Sequence, residues 1–418
     1  MNQRIHRLVE PLRQPAPRSL AGAHLVSGLG DWAGRLALTV VVYDRSQSAA
    51  WAAAVTVVAL LPWIGPGQML ATLADRYGRT TVMIVSDLAR AVLFFLMAFT
   101  TSVPILLTAA FAAGLCVPPF AGARAAALVD VCDDETYPKA LALFGVLTQV
   151  EVLAGYAAGG VLVATVGARP ALALNAVTFL VSAAFVASLR RTAAAQPNST
   201  SPVGWAGVRS GLAIWRTDPV CGRALMLFAG TNMFSVLPET LVVPFAADVE
   251  ISETWIGALA AIIAIGSLIA VVFAPSDGTH EELLRATAWR GLVVAAASGA
   301  LFTVASWPVA AFAAYAVSGM VDAIAVPTNQ VVGERLPQAG RSAAMTVAAG
   351  TQNITHVVAI SVAGITADRW GTPTTLAIAM VAAGCVCMWA ALRPVAPTST
   401  RPAAVAVSGA GNEGTPGP

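Results

Sequence analysis

The chain has 418 residues, of which 57% are hydrophobic and 11% are charged, and its formal net charge is +2. A typical soluble domain has about 25% charged residues, so this composition excludes a soluble domain and predicts an integral membrane protein. Lys139 is the single lysine, which excludes the Gly-x4-Gly-Lys phosphate-binding loop of an ATP-driven pump within this polypeptide. The sequence also has no basic patch for nucleic acid.

The cysteines show no metal-binding arrangement. All five lack the spacing of a metal site and are typical of small apolar residues inside helices. We therefore expect neither a metal nor a cofactor.

Taken from the N-terminus, the chain begins with a basic segment at residues 1–19 that has no signal-peptide cleavage pattern. Twelve apolar segments long enough to cross a bilayer follow it. They lie at residues 20–43, 49–74, 81–101, 104–127, 139–166, 169–189, 222–246, 254–274, 288–306, 308–327, 342–366 and 373–393. This pattern predicts an all-α membrane protein with twelve transmembrane helices.

The basic residues set the expected orientation. With both termini in the cytoplasm, most arginines and Lys139 fall in or beside cytoplasmic segments, whereas Arg45, Arg169 and Arg369 fall on the opposite side. The positive-inside rule therefore predicts a multi-pass protein of the inner (plasma) membrane with both termini cytoplasmic.

An internal repeat divides the chain in two. At an offset of 204 residues Asp44 falls on Asp248 and Trp51 on Trp255, and the apolar pattern breaks at residues 191–217. We predict five parts: an N-terminal segment (1–19), a first six-helix half (20–190), a cytoplasmic linker (191–217), a second six-helix half (218–394) and a disordered tail rich in Pro, Ser and Gly (395–418).

A short polar turn separates the second and third segments. Its residues resemble the signature loop of the major facilitator superfamily of secondary transporters, Gly-x-Leu-Ala-Asp-Arg-x-Gly-Arg, and the matching positions are Leu73, Ala74, Asp75, Arg76, Gly78 and Arg79. Ala71 replaces the first glycine of the family pattern. The resemblance implies two pseudo-symmetric halves that rock around a small-molecule site near the bilayer midplane.

In that family the loop contacts the opposite half when the cytoplasmic side is closed, so the resemblance implies a cytoplasmic latch. We assign to it Asp75, Arg76, Gly78, Arg79, Asp87, Arg90 and Asp130. Gly78 supplies a positive φ, Asp130 is the expected partner of Arg79, and Asp87 is expected in the first turn of the third helix, where an anion is favoured. For Arg76 the alternative is a solvated turn that only sets topology.

Ionisable residues inside the predicted helices are costly and therefore indicate function. Asp31 and Arg35 share one face of the first helix, either as cavity residues or as a neutralised structural pair. Glu239 on the seventh helix is the repeat equivalent of Arg35, so the two can meet across the axis between the halves. Asp322 is expected near the cytoplasmic end of the tenth helix, as a gate residue.

Glu151 lies midway along the fifth helix, ahead of Gly155, Gly159 and Gly160. This glycine run resembles the antiporter signature of efflux members, with Tyr156 in place of the proline, and its small residues allow close helix packing. We expect Glu151 to be a proton site or a cationic-substrate site. The alternative is a protonated carboxyl that is hydrogen-bonded to a neighbouring helix.

The seventh and eleventh helices carry further polar residues. Asn232, Gln352, Asn353 and His356 need partners at this depth, which a water-filled cavity provides. We predict that they line one proton and substrate cavity together with Asp31, Arg35, Glu151 and Glu239.

The first three helices, including Gly28-Leu29-Gly30-Asp31-Trp32, are similar to a bacterial efflux group that contains macrolide and siderophore exporters. We expect a monomeric secondary transporter in the lipid bilayer that exports a hydrophobic or amphiphilic small molecule in exchange for protons. The alternatives are an importer or facilitator of a small metabolite, and a transporter-derived sensor or lipid-handling protein. No catalytic triad or pair of carboxylates at usable spacing is present, so an enzyme is not expected.

Overall fold

A computed structural model of the protein describes residues 9–64, 77–133, 135–189, 215, 218–275, 278–335 and 341–393. These residues form helices and turns, with no strand among them. The predicted latch residues Asp75 and Arg76, the linker apart from Trp215, and the predicted disordered tail lie outside the described residues.

Six helices build the N-terminal half. They are α1 (Pro15–Ser46), α2 (Ala49–Ile64), α3 (Arg79–Met97), α4 in two segments (Val103–Leu115 and Val117–Val131), α5 (Thr136–Val166) and α6 (Ala168–Ser188). A short 3-10 turn, Glu10–Arg13, precedes α1.

Six more helices build the C-terminal half. They are α7 (Pro219–Thr240, continued by Val242–Asp248), α8 (Glu253–Val272), α9 (His280–Thr303), α10 (Pro308–Gly319, the 3-10 segment Met320–Ile324 and Ala325–Arg335), α11 (Arg341–Trp370) and α12 (Thr372–Leu392). Each of the twelve predicted segments overlaps one helix, and residues 65–74 of the second segment lie outside the described residues. Within the described ranges, nine of these helices meet the length and hydropathy expected of a membrane-spanning helix.

The repeat seen in the sequence is also a repeat of helix boundaries. A shift of 204 residues carries the first residues of α1, α2 and α6 onto those of α7, α8 and α12, and the last residues of α5 and α6 onto those of α11 and α12. The tight reversals before α6 and before α12 repeat as well, because Gly167 (φ 89°) and Gly371 (φ 81°) both adopt a left-handed conformation. The two halves are thus two copies of one six-helix arrangement.

The positive φ predicted for the signature loop is present. Gly78 has φ 82° and directly precedes α3, which begins at Arg79. Among the described residues no heavy atom lies within 4 Å of a Cβ built on Gly78, and the positive φ by itself favours a glycine at this position.

We call the side on which α1 begins the terminal side and the side of the α1–α2 turn the far side. α12 ends on the terminal side as well, because the end of α11 contacts the start of α2 and α12 then runs back. The largest apolar core joins both halves and includes Val41, Phe179, Phe245 and Ile360.

Small residues bring the halves together. A Cβ built on Gly160 of α5 would lie 2.4 Å from Cα of Gly257 on α8, and one on Gly364 of α11 would lie 2.8 Å from Cα of Ala50 on α2. Gly155 and Gly159 leave equally little room against Trp32 and Ala33 of α1. The predicted packing role of these glycines is therefore visible in the contacts, since only a glycine lets the backbones approach this closely.

Candidate functional site

The midpoint of α5 carries a buried polar cluster. Glu151 Oε1 lies 3.0 Å from Nδ1 of His24 on α1, and the same nitrogen contacts Nη1 of Arg124 on α4. His24 and Glu151 are both buried. The His24 ring stacks on Phe144 of α5, with ring centroids 5.2 Å apart, so aromatic packing fixes its position.

The hydrogen bonds around His24 indicate which protons it holds. Arg124 can only donate, so its contact with Nδ1 requires that nitrogen to be unprotonated. The Nε2–H then donates to the Thr148 hydroxyl (3.2 Å), which in turn donates to the Phe144 carbonyl oxygen (2.9 Å). His24 is neutral in this arrangement.

A neutral His24 constrains Glu151. The carboxyl oxygen and the bare Nδ1 are both acceptors at 3.0 Å, and Nδ1 has a single lone pair, so the contact is favourable when Glu151 carries the proton and donates it in place of Arg124. When Glu151 is ionised, its charge is balanced either by Arg124 or by a proton gained by His24. The cluster therefore has two arrangements that differ by one proton.

Backbone geometry creates the space for this carboxyl. A Cβ on Gly28 of α1 would lie 2.1 Å from the Glu151 carboxyl carbon, so the side chain packs directly on the glycine backbone. Sequence reasoning selected Glu151 but missed His24 and Arg124. The signal that would have found them is the same one, an ionisable side chain at membrane depth.

A second cluster joins α1 and α3. Arg90 donates to Asp31 (3.0 Å) and to Asp87 (2.5 Å), and its guanidinium lies over the rings of Phe120 and Phe179. Of the two alternatives for Asp31 and Arg35, the structural pair is not formed as an ion pair, because Arg90 binds the Asp31 carboxylate, although Arg35 is close enough to interact with its charge.

The expected place of Asp87 is also wrong. Since α3 begins at Arg79, Asp87 lies eight residues into the helix, about 12 Å from its start. Asp87 and Arg90 are both buried, far from any solvated turn. They belong to the interior of the N-terminal half and not to a surface latch.

A third cluster joins the two halves. Arg35 Nη1 lies 3.7 Å from Glu239 Oε1, and the Tyr156 hydroxyl donates to the same oxygen at 2.6 Å. Arg35 also lies over the Trp32 ring, 4.4 Å from its centroid. The predicted meeting of Arg35 and Glu239 across the axis is thus present in the structure, and Tyr156 adds a partner that sequence reasoning did not foresee.

Polar residues of α7 and α11 form a fourth cluster. The Asn232 side-chain oxygen accepts from Gln352 Nε2 (2.7 Å) and lies 2.6 Å from His356 Nε2. Gln352 and His356 share a helix face because they are four residues apart. Among the described residues no hydrogen bond joins Asn353 to this group, and its place in the cavity stays a prediction.

Asp322 lies deeper than predicted. It occupies the 3-10 segment Met320–Ile324, near the middle of α10, which runs from Pro308 to Arg335. The expectation of a residue near one end of the helix is therefore wrong. The true helix extends beyond the apolar run, to Arg335, so its midpoint shifts toward Asp322.

Ion pairs also link helix ends on the terminal side. Arg79 pairs with Asp130 as expected and donates to the Ala126 carbonyl oxygen (2.8 Å), which ties α3 to α4 within one half. In the other half Asp218, at the start of α7, accepts from Arg335 Nε (2.8 Å). Burial favours the neutral carboxyl of Asp218, but Arg335 and two backbone amides outweigh this effect and hold its pKa below the ordinary value.

On the far side Asp368 of α11 binds the start of α2. Its carboxylate accepts from the amide of Ala49 (2.5 Å), the amide of Ala50 (3.3 Å) and the hydroxyl of Ser48 (2.7 Å). A carboxylate at a helix N-terminus satisfies free amides and is favoured by the helix dipole. Sequence reasoning missed this contact. The repeat offers a signal for it, because Asp368 of α11 falls on Ala164 of α5, so the acid is present in one half only.

The chain is similar in sequence to known proteins. A family model described as Major Facilitator Superfamily matches residues 20–348. Two uncharacterized MFS-type transporters of Bacillus subtilis (strain 168) are similar over part of their length: YfiS is 25% identical over 183 residues and YkuC is 28% identical over 182 residues. The match covers 44% of this chain and of YfiS and 42% of this chain and of YkuC, so the chain spans less than half of the curated relatives it matches.

Solved transporters share the fold. A bacterial homolog of the human lysosomal transporter Spinster, in an inward-facing and unoccupied conformation, has a TM-score of 0.70 at 15% identity, and the match covers 90% of this chain and 97% of that one. The nucleoside transporter NupG has a TM-score of 0.70 at 13% identity, with 90% and 98% covered. At these identities the likeness concerns the fold only.

Proposed function

The chain belongs to the Major Facilitator Superfamily, whose members are multi-pass secondary transporters, and we propose that it exports a hydrophobic or amphiphilic small molecule in exchange for protons. The observation that carries this proposal is the buried cluster of Glu151, His24 and Arg124, because its two arrangements differ by one proton. The resemblance of the first three helices to macrolide and siderophore exporters suggests the substrate class.

The coupling step follows from competition for Glu151. When the carboxyl is protonated, it can donate to the single lone pair of His24 Nδ1 in place of Arg124. When the proton leaves, Glu151 and Arg124 attract each other across the space between α5 and α4. We propose that this change in attraction between helices links the proton to the movement of the halves.

The contacts between the halves support an inward-facing state. Asp368 on the start of α2 and Gly160 against Gly257 both hold the far side closed. By the positive-inside rule the terminal side faces the cytoplasm, so substrate enters the cleft between the halves from that side. Both termini then lie in the cytoplasm, and the helices lie in the plasma membrane. We propose that the protein is a monomer whose two halves are linked by residues 191–217.

The latch assignment also stays a proposal. Arg79 with Asp130, and Asp218 with Arg335, each join helices of one half in this state. We propose that Asp75 and Arg76 add contacts to the opposite half when the terminal side closes, as the resemblance of the loop implies.

The test is substrate uptake into everted membrane vesicles with an acidic interior. Fluorescent amphiphilic cations and a macrolide are the probes, and the wild type is compared with Glu151→Gln. Glu135→Gln is the matched control, because Glu135 lies on the exposed end of the same helix region and 84% of its side chain is exposed. We expect gradient-dependent uptake in the wild type and in Glu135→Gln, and none in Glu151→Gln.

Other results support the alternatives. Uptake that needs the opposite gradient indicates an importer, and equilibration without a gradient indicates a facilitator. No movement of any probe by folded wild-type protein favours a sensor or lipid-handling role. Equal uptake by the wild type and Glu151→Gln contradicts the coupling role of the cluster.

A further inference from the structure

A groove opens to the outside of the C-terminal half between α8 and α9. Among the described residues, these two consecutive helices both pack on α10 but hardly touch each other, so a gap remains along the seam between them. The gap has a volume of about 580 Å³, which lies within the range of about 300–1,000 Å³ for small-molecule sites. Its floor is the 3-10 segment of α10, through Met320, Ala323 and Ile324. We call this gap the α8–α9 groove.

The walls of the α8–α9 groove are apolar and suit a hydrocarbon chain. α8 contributes Ile269, Ala270 and Phe273, and α9 contributes Val293 and Val294. Apolar walls are expected wherever a helix faces lipid, because lipid tails are as apolar as these side chains. The polar end of the groove is therefore what selects an occupant.

That end carries a single arginine, Arg290 of α9. Its Nη1 donates to the Phe273 carbonyl oxygen (2.6 Å) at the C-terminal end of α8, and this bond fixes the guanidinium at the entrance of the groove. Among the described residues Arg290 makes this hydrogen bond and no ion pair, and it is the one charged residue on the lining. The other N–H groups of the guanidinium are therefore available to an anion.

Arg290 lies at the height expected for lipid headgroups. The apolar segment predicted for α9 begins at residue 288, and Trp289, next to Arg290, is exposed. Tryptophan favours the boundary between membrane and water, where its ring contacts hydrocarbon and its N–H meets polar groups. The groove thus runs from the headgroup level at Trp289 and Arg290 into the hydrocarbon at Val293 and Ile269. α8 ends on the terminal side, which the proposed topology places at the cytoplasmic leaflet.

The N-terminal half does not repeat this arrangement. At the offset of 204 residues, Trp289 and Arg290 fall on Val85 and Ser86. The shared fold therefore does not require an aromatic residue and a cation at this place. Their presence in one half is what a ligand site predicts.

We propose that the α8–α9 groove binds one anionic phospholipid, with an acyl chain between the two helices and the phosphate on Arg290. A guanidinium binds phosphate through charge-assisted hydrogen bonds that are often bidentate. Among the described residues no acid lines the groove, so the ammonium group of a zwitterionic headgroup finds no carboxylate there. Net negative charge on the lipid therefore decides its binding, as it does in basic pockets between membrane helices on the cytoplasmic side.

A lipid in this position adds a contact that the chain itself lacks. It fills the space between α8 and α9 and holds α8 against α10. α8 also carries Gly257, whose approach to Gly160 of α5 joins the halves on the far side. The lipid thus supports the helix on which that approach depends.

The test is binding of bromine-labelled phospholipids to purified protein in detergent, without substrate and without a proton gradient. A bimane fluorophore on Val293→Cys, in a background without the native cysteines, reports lipid in the groove because bromine quenches it at short range. We expect half-maximal quenching at a phosphatidylglycerol concentration at least fivefold lower than for phosphatidylcholine. Arg290→Gln should remove this preference, since glutamine can still donate to the Phe273 carbonyl oxygen but carries no charge. Arg285→Gln, at an exposed arginine of α9 outside the groove, is the matched control and should keep the preference.

Equal quenching by the two lipids in the labelled protein overturns the inference, and so does a preference that survives Arg290→Gln. Displacement of phosphatidylglycerol by glycerol phosphate at the same concentration as by unlabelled phosphatidylglycerol would assign the site to a soluble phosphate and overturn the lipid. If Arg290→Gln does not fold, Ala270→Phe decides the question, because it fills the groove and leaves Arg290 in place. It should weaken quenching by phosphatidylglycerol at least fivefold, and unchanged quenching contradicts binding in the groove. None of these results involves transport, so the proposed export is tested separately.

Discussion

Glu151 keeps its position because residue 28 has no side chain. Its carboxyl carbon would lie 2.1 Å from a Cβ at that position, so a single methyl group there occupies the place of the carboxyl. The proposed proton site therefore depends on a residue of α1 that has no side chain.

We predict that Gly28→Ala displaces Glu151 from His24 and lowers gradient-driven uptake at least tenfold, with little change in the amount of folded protein. Gly145→Ala on α5 is the control, because a Cβ there meets no heavy atom within 4 Å. Uptake into everted vesicles measures both. Full activity in Gly28→Ala would show that the position of Glu151 is not critical.

Sequence reasoning predicted ionisable residues better than their partners. Arg35 and Glu239 were matched correctly because the repeat relates them, whereas Asp31 was paired with Arg35 from helical spacing and in fact contacts Arg90 of α3. The partner of a buried charge depends on how neighbouring helices are rotated and packed. Nothing in a single apolar segment determines that rotation, so His24, Arg124 and Asp368 became visible only in the structure.

At the scale of helices, boundaries were predictable and interruptions were not. All twelve segments were located, since apolar length and basic flanks follow from the bilayer. The 3-10 segment of α10 left no clear mark in the sequence, whereas the break of α4 at Cys116 is marked by Pro118 and Pro119, which lie in the first turn of the next segment. Asp322 was misplaced because α10 extends beyond the apolar run. Asp87 was misplaced because even a helix start at residue 81 puts it in the second turn.

The approach of α5 to α8 depends on Gly160. We predict that Gly160→Ala pushes the helices apart, because its Cβ would lie 2.4 Å from the Gly257 backbone, and thereby weakens closure of the far side. The rate at which a membrane-impermeant maleimide labels Ala50→Cys, in a background without the native cysteines, should rise several-fold. Gly299→Ala, whose Cβ meets its nearest neighbour at 3.4 Å, should leave the rate unchanged. An unchanged rate in Gly160→Ala would contradict a far-side closure held by this contact.

The link between α7 and α10 gives a prediction about pH. The pKa of Asp218 is lower in the folded protein, so its ion pair with Arg335 stabilises the fold above the ordinary aspartate pKa and is lost as pH falls through the folded value. Asp218→Asn keeps the helix cap but loses the charge, and it should cost about 1 kcal/mol at pH 7. Thermal unfolding in detergent should show this difference at pH 7 and show it shrinking as the pH falls below the ordinary aspartate pKa of about 3.9. A difference that persists at low pH would assign the effect to packing.

At the scale of the whole molecule, the two halves differ in their buried charges. The interior of the N-terminal half holds Asp31, Asp87 and Glu151 together with Arg35, Arg90 and Arg124, and the interior of the C-terminal half holds Glu239 and Asp322. The far side is joined by Asp368 on one pair of helices and by two glycines on the other. We propose that the pseudo-symmetric fold has placed proton coupling in the N-terminal half.

The most direct test of this account separates exchange from uphill transport in proteoliposomes. Exchange of labelled for unlabelled substrate needs movement of the halves but no net proton transfer, whereas accumulation against a gradient needs the proton. We predict that Glu151→Gln retains exchange at a rate within a few-fold of the wild type and loses accumulation driven by a pH gradient. Accumulation equal to that of the wild type, or loss of exchange together with accumulation in folded protein, would contradict the assignment of the coupling proton to Glu151.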